Sequence, residues 1–376
     1  MGDGYIERGN SDLNALAALS ATAEDWQARA RMLRRSIADA LGLAPLPERS
    51  PLNPVRRAPR LVGDGADVYQ IENVAIEILP GLLATGNLYR PVDKRSAAIP
   101  IALLPHGHDD RGRFHENQQH LAGTLARMGV LALTYDMQGY GEATQIDHQW
   151  PAMAALQTWQ SMRWLDLLLA EPDVDPTRVL CTGYSGGGTQ TFLLAALDHR
   201  LTMSIPVLMV SSAFHGGCVC ESGLPIHRNR VDDQLCETNN AEIAALASIG
   251  ASGPRPLLLV SADADWTAET PTREFPFVRR IYALFDGGDR LVANVHLPDK
   301  EHDYGPAKRQ AVYDFVMRHW DLSAKTRGDG LVDEGPNRVL SRQALSVFAA
   351  EGGDRPTQDG TRIAQTYLHR SLPSGT

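Results

Sequence analysis

The 376-residue chain has only four cysteines, too few for a disulfide framework at this length. Cys181 lies in an apolar run and reads as a small core residue, whereas Cys218, Cys220 and Cys236 share one loop region. Cys218-x-Cys220 is not the C-x-x-C spacing of a zinc or redox site, so packing of a rigid loop is the expected role and no metal is expected. No apolar run reaches the roughly 20 residues needed to span a bilayer, which argues against a membrane partner. The opening MGDGYIERGN is acidic and polar where an export signal is basic and then apolar. Ile6 stands where myristoylation requires Ser or Thr. A cytoplasmic protein is expected. Basic residues are also in deficit: the formal net charge of −9 argues against a nucleic-acid partner.

What is present is ordinary for a globular protein, 43% hydrophobic and 22% charged, at a length that suits one large domain with added segments at its ends. Residues Thr22 to Leu41 carry a helical stripe of Trp26, Ala30, Leu33, Ile37 and Leu41, with a start at Thr22 and Asp25 and a stop at Gly42. The prolines at 45, 47, 51 and 54 then mark off an N-terminal helical arm, residues 1–60. Within 61–325, Val68 to Ile78 and Leu82 to Tyr89 read as an antiparallel pair turned at Pro80-Gly81. Strands are expected at Pro100 to Leu104, Val130 to Tyr135, Val179 to Thr182, Ile205 to Val210, Pro256 to Val260 and Leu291 to His296. Helices are expected at Asn117 to Met128, Met153 to Ala170, Thr189 to Leu197 and Ala307 to Trp320. In the second of these, Trp159, Met162, Leu165 and Leu169 form a core stripe. Short continuous apolar runs alternating with helices predict an α/β fold, a mostly parallel central sheet covered on both faces. Residues 326–376 are polar apart from Leu345 to Ala349 and read as a surface arm or interaction segment. A homo-oligomer formed through the terminal arms fits this layout.

The chemistry concentrates at Gly183-Tyr184-Ser185-Gly186-Gly187. G-x-S-x-G is a weak pattern in a chain with 33 glycines, but here a strand precedes it and a helix follows. A sharp strand-to-helix turn strains the serine backbone, tolerates only small neighbours, and presents the hydroxyl near a helix N-terminus that favours developing negative charge. A free serine hydroxyl is a poor nucleophile and needs a base. The strand ending near Val260 leads into Asp263 and Asp265, and His302 follows the last strand. Ser185, an aspartate, then His302 is the chain order of a serine triad on such a sheet. His106 and His108 follow the strand Pro100 to Leu104, where the backbone N–H groups of Gly107 and His108, with that of Gly186, are placed to hold an oxyanion. Zinc ligation by His106 or His108 beside Asp109 or Asp110 lacks a further ligand at a familiar spacing.

From these residues the chain resembles the acetyl xylan esterase and dienelactone hydrolase branch of the bacterial α/β-hydrolases, over roughly Trp26 to Trp320. Matching stretches include Gly86 to Pro91, His106-Gly107-His108 with Gly112-Arg113, Asp136 with Gly139-Tyr140-Gly141, Gly183 to Gln190, and Gly216 to Glu221. Asn240, Glu242-Ile243, Pro254 to Pro256, Asp265-Trp266-Thr267 and His302-Asp303-Tyr304 complete the pattern. The resemblance implies Asp265, rather than Asp263, as the acid. It also implies an α/β-hydrolase fold and a serine esterase that needs no cofactor and acts on a small ester, such as an acylated carbohydrate. Related glucuronoyl esterases take their acid from the loop after the sixth strand; here Ser211 and Ser212 end that strand where the acid would stand, and Glu221 is the only carboxylate in that loop before Asp232. Amide or peptide hydrolysis and C–C bond hydrolysis use the same triad and stay open, and a silent binding protein would be expected to lose a triad member.

Residues 211–255 are long enough for a lid-like loop and one helix, Asn239 to Ser248, over Ser185. Tyr184, Glu221, Trp266, Arg228 and Arg230 are the expected substrate-binding residues, the two arginines meeting a polar or anionic leaving part. The stretch Leu224 to Leu235 reads as an insertion that reshapes the pocket.

Overall fold

The continuous apolar runs become strands with no exposed residue on either face, as burial between two helical layers requires. The computed structural model describes residues 3–92, 98–221, 224–251, 253–298, 301–348 and 356–368. Its strands are β1 (Val55–Arg56), β2 (Arg60–Val62), β3 (Tyr69–Leu79), β4 (Leu82–Pro91), β5 (Ile99–Pro105), β6 (Leu131–Tyr135), β7 (Val174–Tyr184), β8 (Met203–Val207), β9 (Arg228–Val231), β10 (Gln234–Glu237), β11 (Leu257–Ala262) and β12 (Val292–Leu297). Its helices are α1 (Asp3–Ala18), α2 (Ala23–Leu41), α3 (Glu116–Arg127), α4 (Met153–Leu169), α5 (Gly186–Leu197), α6 (Leu224–His227), α7 (Asn240–Ala245), α8 (Glu274–Tyr282), α9 (Pro306–Trp320), α10 (Arg342–Leu345) and α11 (Gly360–Tyr367).

The main sheet runs β1-β3-β4-β6-β5-β7-β8-β11-β12, with β2 paired to β3. β4 pairs antiparallel with β3 on one side and β6 on the other, and every pairing from β6 to β12 is parallel. Side chains alternate across the pleat. Ile101 and Leu103 therefore enter one core with Trp159 of α4 and Phe192 of α5. Ala102 and Leu104 enter the other with Leu121 of α3 and Val312 of α9.

The N-terminal arm is part of this body. Thr22 caps α2 in a reciprocal capping box with Asp25. The buried Trp26 indole donates to Ser248 Oγ at 2.7 Å. Arg34 reaches the carbonyls of Ala196, Leu246 and Ile249, and Arg29 pairs with the buried Glu242. The C-terminal extension also folds back. Leu345 O accepts from Asn87 and Arg113, and the N–H groups of Val347 and Phe348 donate to the Glu142 carboxylate at 2.8 and 3.0 Å. The apolar run expected there extends to Ala349, which lies outside the described residues.

Three local expectations are corrected. β8 stops at Val207, short of Val210, because Leu208 turns to φ 53°. The helices α1 and α8 were not expected. The stretch Leu224 to Leu235 carries the start of a β9–β10 hairpin, which packs on α2: Asn229 donates to Ser36 O at 3.0 Å and Arg35 pairs with Asp232.

Candidate active site

Ser185 sits between β7 and α5 at φ 54° and ψ −126°. This is a strained region for any L-residue, with a cost of order 1–3 kcal/mol that the surroundings must impose. They do so through backbone contact. The Ser185 N–H donates to Val207 O at 3.0 Å, and its carbonyl accepts the Thr189 N–H that starts α5. A Cβ on Gly183 or Gly187 would lie 2.4 or 2.3 Å from Pro105 O, so the end of β5 fits against the elbow only if both are glycine. The hydroxyl thus lies at the N-terminus of α5, where the helix dipole favours negative charge.

Asp265 lies in the loop after β11, with its side chain buried. Its Oδ1 accepts from the Thr267 N–H and hydroxyl, both at 2.9 Å. Its Oδ2 pairs with His302 Nδ1. Asp263 points elsewhere, to His296 Nε2 at 2.8 Å. The imidazole of His302 packs on Trp266, with ring centroids 4.3 Å apart, and sits 6.2 Å from the Tyr184 ring. The loop carrying it is pinned by Asp303, which accepts from the Gly305 N–H and Lys308 Nζ, and by Tyr304, whose hydroxyl meets Thr182 Oγ1 at 2.5 Å. Among the described residues no hydrogen bond joins Ser185 to His302 directly.

The loop after β5, which carries Gly107 and His108, is held from behind. His106 is fully buried, with Nδ1 against Gly107 O at 2.7 Å and Nε2 accepting from the Met137 N–H at 3.0 Å. Burial holds its pKa down at about 4, so it serves as a neutral strut between the loops after β5 and β6. The same frame contains buried Arg113, which pairs with Asp136 and Glu142. Asp136 also accepts from Thr85 and the Glu142 N–H.

A polar cavity of about 580 Å³ opens beside His302 and Tyr184, lined also by Asp109, Arg111, His115 and Asn117. Tyr184 lines this cavity, whereas Trp266 packs on His302 and is not among the lining residues. The other expected substrate contacts are placed differently. Glu221 is buried, with Oε2 accepting from the N–H groups of Gly217 and Cys218, and Oε1 3.4 Å from His108 Nδ1. Arg228 and Arg230 stand on the outer hairpin. The first faces Glu237 at 3.4 Å and the second reaches Asp233 O. Neither lines the cavity at His302, because the hairpin turns toward α2 instead of closing over Ser185.

The structure also gathers residues that spacing arguments keep apart. The ligand atoms of His108, His148, Cys218 and Cys220 all lie within 4.8 Å of one another. His106 and Asp109, read from sequence as companions of His108, are engaged with Met137 and Arg111. Three separate loops supply the four residues, so no local motif exists to be found.

Fold and elbow together define an α/β-hydrolase. No family model matches the chain, and no curated protein matches its sequence. Solved structures do. Methylesterase BT1017 is 36% identical, with a TM-score of 0.83, over 96% of this chain and 79% of that one. A glucuronoyl esterase of Solibacter usitatus is 17% identical, with a TM-score of 0.55, over 80% and 94%. A candidate acetyl xylan esterase of Bacteroides fragilis NCTC 9343 is 14% identical, with a TM-score of 0.55, over 73% and 76%. These two share the fold. The chain belongs to the same family as methylesterase BT1017 and is a carboxylic ester hydrolase of the α/β-hydrolase fold. Among the described residues no helix is long and apolar enough to cross a membrane.

Proposed function

We propose that Ser185, His302 and Asp265 form a catalytic triad that cleaves a small, polar carboxylic ester through an acyl-enzyme. The observation that carries this reading is the pairing of His302 with the buried Asp265, on the chain order and elbow that a serine nucleophile requires. Asp265 accepts a hydrogen bond from Nδ1–H, which holds the proton on that nitrogen and leaves the Nε2 lone pair for the Ser185 hydroxyl. Ser185 Oγ attacks the ester carbonyl as Nε2 takes its proton. The backbone N–H groups of Gly107, His108 and Gly186 stabilise the oxyanion, and the protonated imidazole returns its proton to the leaving alcohol. Water activated by the same nitrogen then releases the acid. The direct Ser185–His302 hydrogen bond forms when substrate arrives, as such bonds often tighten only in the complex.

Two observations support a substrate class: a relative named as a methylesterase favours a methyl ester, and the polar cavity at His302 favours a hydroxylated acid such as a uronic acid. The test is a kcat/KM comparison of a uronate methyl ester, an O-acetylated sugar and an aminoacyl anilide. The methyl ester should be cleaved best. Preference for the acetylated sugar would overturn the methyl-ester assignment, and preference for the anilide would overturn the ester reading itself.

A further inference from the structure

The cluster beside the elbow has a hydrogen-bonding pattern that does not close with two neutral imidazoles alone. His148 places Nδ1 2.7 Å from Gln138 O. A carbonyl oxygen can only accept, so Nδ1 carries the proton and Nε2 presents a lone pair. His108 places Nδ1 3.4 Å from Glu221 Oε1, a carboxylate oxygen that is buried and otherwise without a hydrogen-bond partner among the described residues. The same logic puts the proton of His108 on Nδ1 and a lone pair on its Nε2. Yet the two Nε2 atoms face each other at 3.1 Å, and Cys220 Sγ lies 3.1 Å from the one on His108. Two lone pairs at that separation repel. Moving a proton onto either Nε2 leaves a buried carbonyl or carboxylate facing a bare nitrogen, or makes a buried imidazolium.

We propose that His108 Nε2, His148 Nε2, Cys218 Sγ and Cys220 Sγ form a Cys2His2 site for a zinc-type ion. The separations fit. Tetrahedral zinc has Zn–N of about 2.0–2.1 Å and Zn–S of about 2.3 Å, so ligand atoms around it stand roughly 3–4 Å apart, inside the 4.8 Å limit of the cluster. Two thiolates and two neutral imidazoles neutralise the divalent charge, and both thiol protons leave on binding. Sulfur with imidazole nitrogen selects zinc over hard cations such as calcium or magnesium. The outer partners Gln138 O and Glu221 orient the two imidazoles, as carboxylates and carbonyls do around bound zinc.

Four protein ligands close the coordination sphere, so the ion is structural and activates no water. What it ties together gives its role. His108 belongs to the loop after β5, His148 to the loop after β6, and both cysteines to the segment after β8. The His108 ring also lies over the elbow, since a Cβ on Gly186 would come within 2.6 Å of its Cε1. Gly216 makes the turn that brings Glu221 inward, at φ 99° with no room for a Cβ beside that side chain. The ion staples the lid segment to the wall of the active site. This site is independent of which ester is hydrolysed.

The test uses the full-length protein purified without chelator, with metal content measured by mass spectrometry and free thiols titrated in parallel. One zinc per chain is expected, with Cys218 and Cys220 protected from thiol reagents until the ion is stripped. After stripping, cobalt(II) should restore a thiolate charge-transfer band and the intense visible bands of tetrahedral coordination. Cys218→Ser and His148→Ala should lose the zinc while retaining native circular dichroism. If either unfolds, the stripped wild-type chain titrated with cobalt decides the matter alone. A wild-type chain that binds neither zinc nor cobalt, or that shows a Cys218–Cys220 disulfide, overturns the proposal. So does a Cys218→Ser variant that keeps full zinc content.

Discussion

Replacing Asp265 by Asn separates the orienting role of this carboxylate from mere bulk. Asp265 accepts twice from Thr267 through Oδ1 and once from His302 through Oδ2. An asparagine keeps its oxygen toward the two Thr267 donors, since turning it over would set its NH2 against them. The amide NH2 then faces His302 Nδ1, which must become an acceptor and push the ring proton onto Nε2. That tautomer has no lone pair for Ser185. The expected loss in kcat is about 10³–10⁴-fold, equivalent to roughly 4–5.5 kcal/mol at 1.36 kcal/mol per decade, with unchanged melting. Asp263→Asn is the control, because that mostly exposed side chain bonds only His296. Its effect should stay within about twofold, as for other exposed ion pairs. The assay is steady-state hydrolysis of p-nitrophenyl acetate, with circular dichroism on each variant. A crippled Asp263 variant, or near wild-type turnover in the Asp265 variant, would refute the reasoning.

Arg228 and Arg230 replaced together by Ala should leave kcat/KM on neutral and anionic esters within about twofold, since exposed hairpin charges facing away from the cavity contribute little; a large KM change on the anionic ester would return the hairpin to the pocket. Gly141→Ala should cost about 3–5 kcal/mol by urea denaturation. Its Cβ would sit 2.1 Å from Asp136 Oδ1 at a φ of 60°, displacing the partner of buried Arg113. His215 has its pKa lowered to about 3, by burial first and then by His227 and Arg8. The unfolded chain therefore takes up that proton first, near the ordinary value of about 6.5, and stability falls as pH drops from there toward 3. His215→Gln should flatten the melting temperature against pH between 6.5 and 4, and an unchanged acid limb would contradict this.

The parallel core was legible because its strands are continuously apolar and its helices periodic, and the elbow because glycine flanks a serine between the two. Less was legible where one signal stood in for another. The β9–β10 hairpin has a two-residue turn, Asp232-Asp233, with φ of 50° and 62° at the two positions. That geometry usually announces itself as Asn-Gly; two aspartates hid it. The helix α8 contains Pro276 in its first turn, which reads as a break although proline is tolerated there. The polar first residues of α1 gave no stripe to detect. Asp265 and Asp263 could be ranked by resemblance alone until the fold sent one to His302 and the other to His296. The His108–His148–Cys218–Cys220 cluster spans more than a hundred residues and depends on tertiary contact, and Cys218-x-Cys220 by itself lacks a zinc-site spacing.

The central claim is tested most directly by covalent capture. The full-length chain treated with a fluorophosphonate should lose esterase activity in step with a single adduct, and peptide mapping should place that adduct on Ser185. Ser185→Ala should be unlabelled, natively folded and slower by about 10³-fold or more. An adduct on another residue, or retained turnover in Ser185→Ala, would contradict the account.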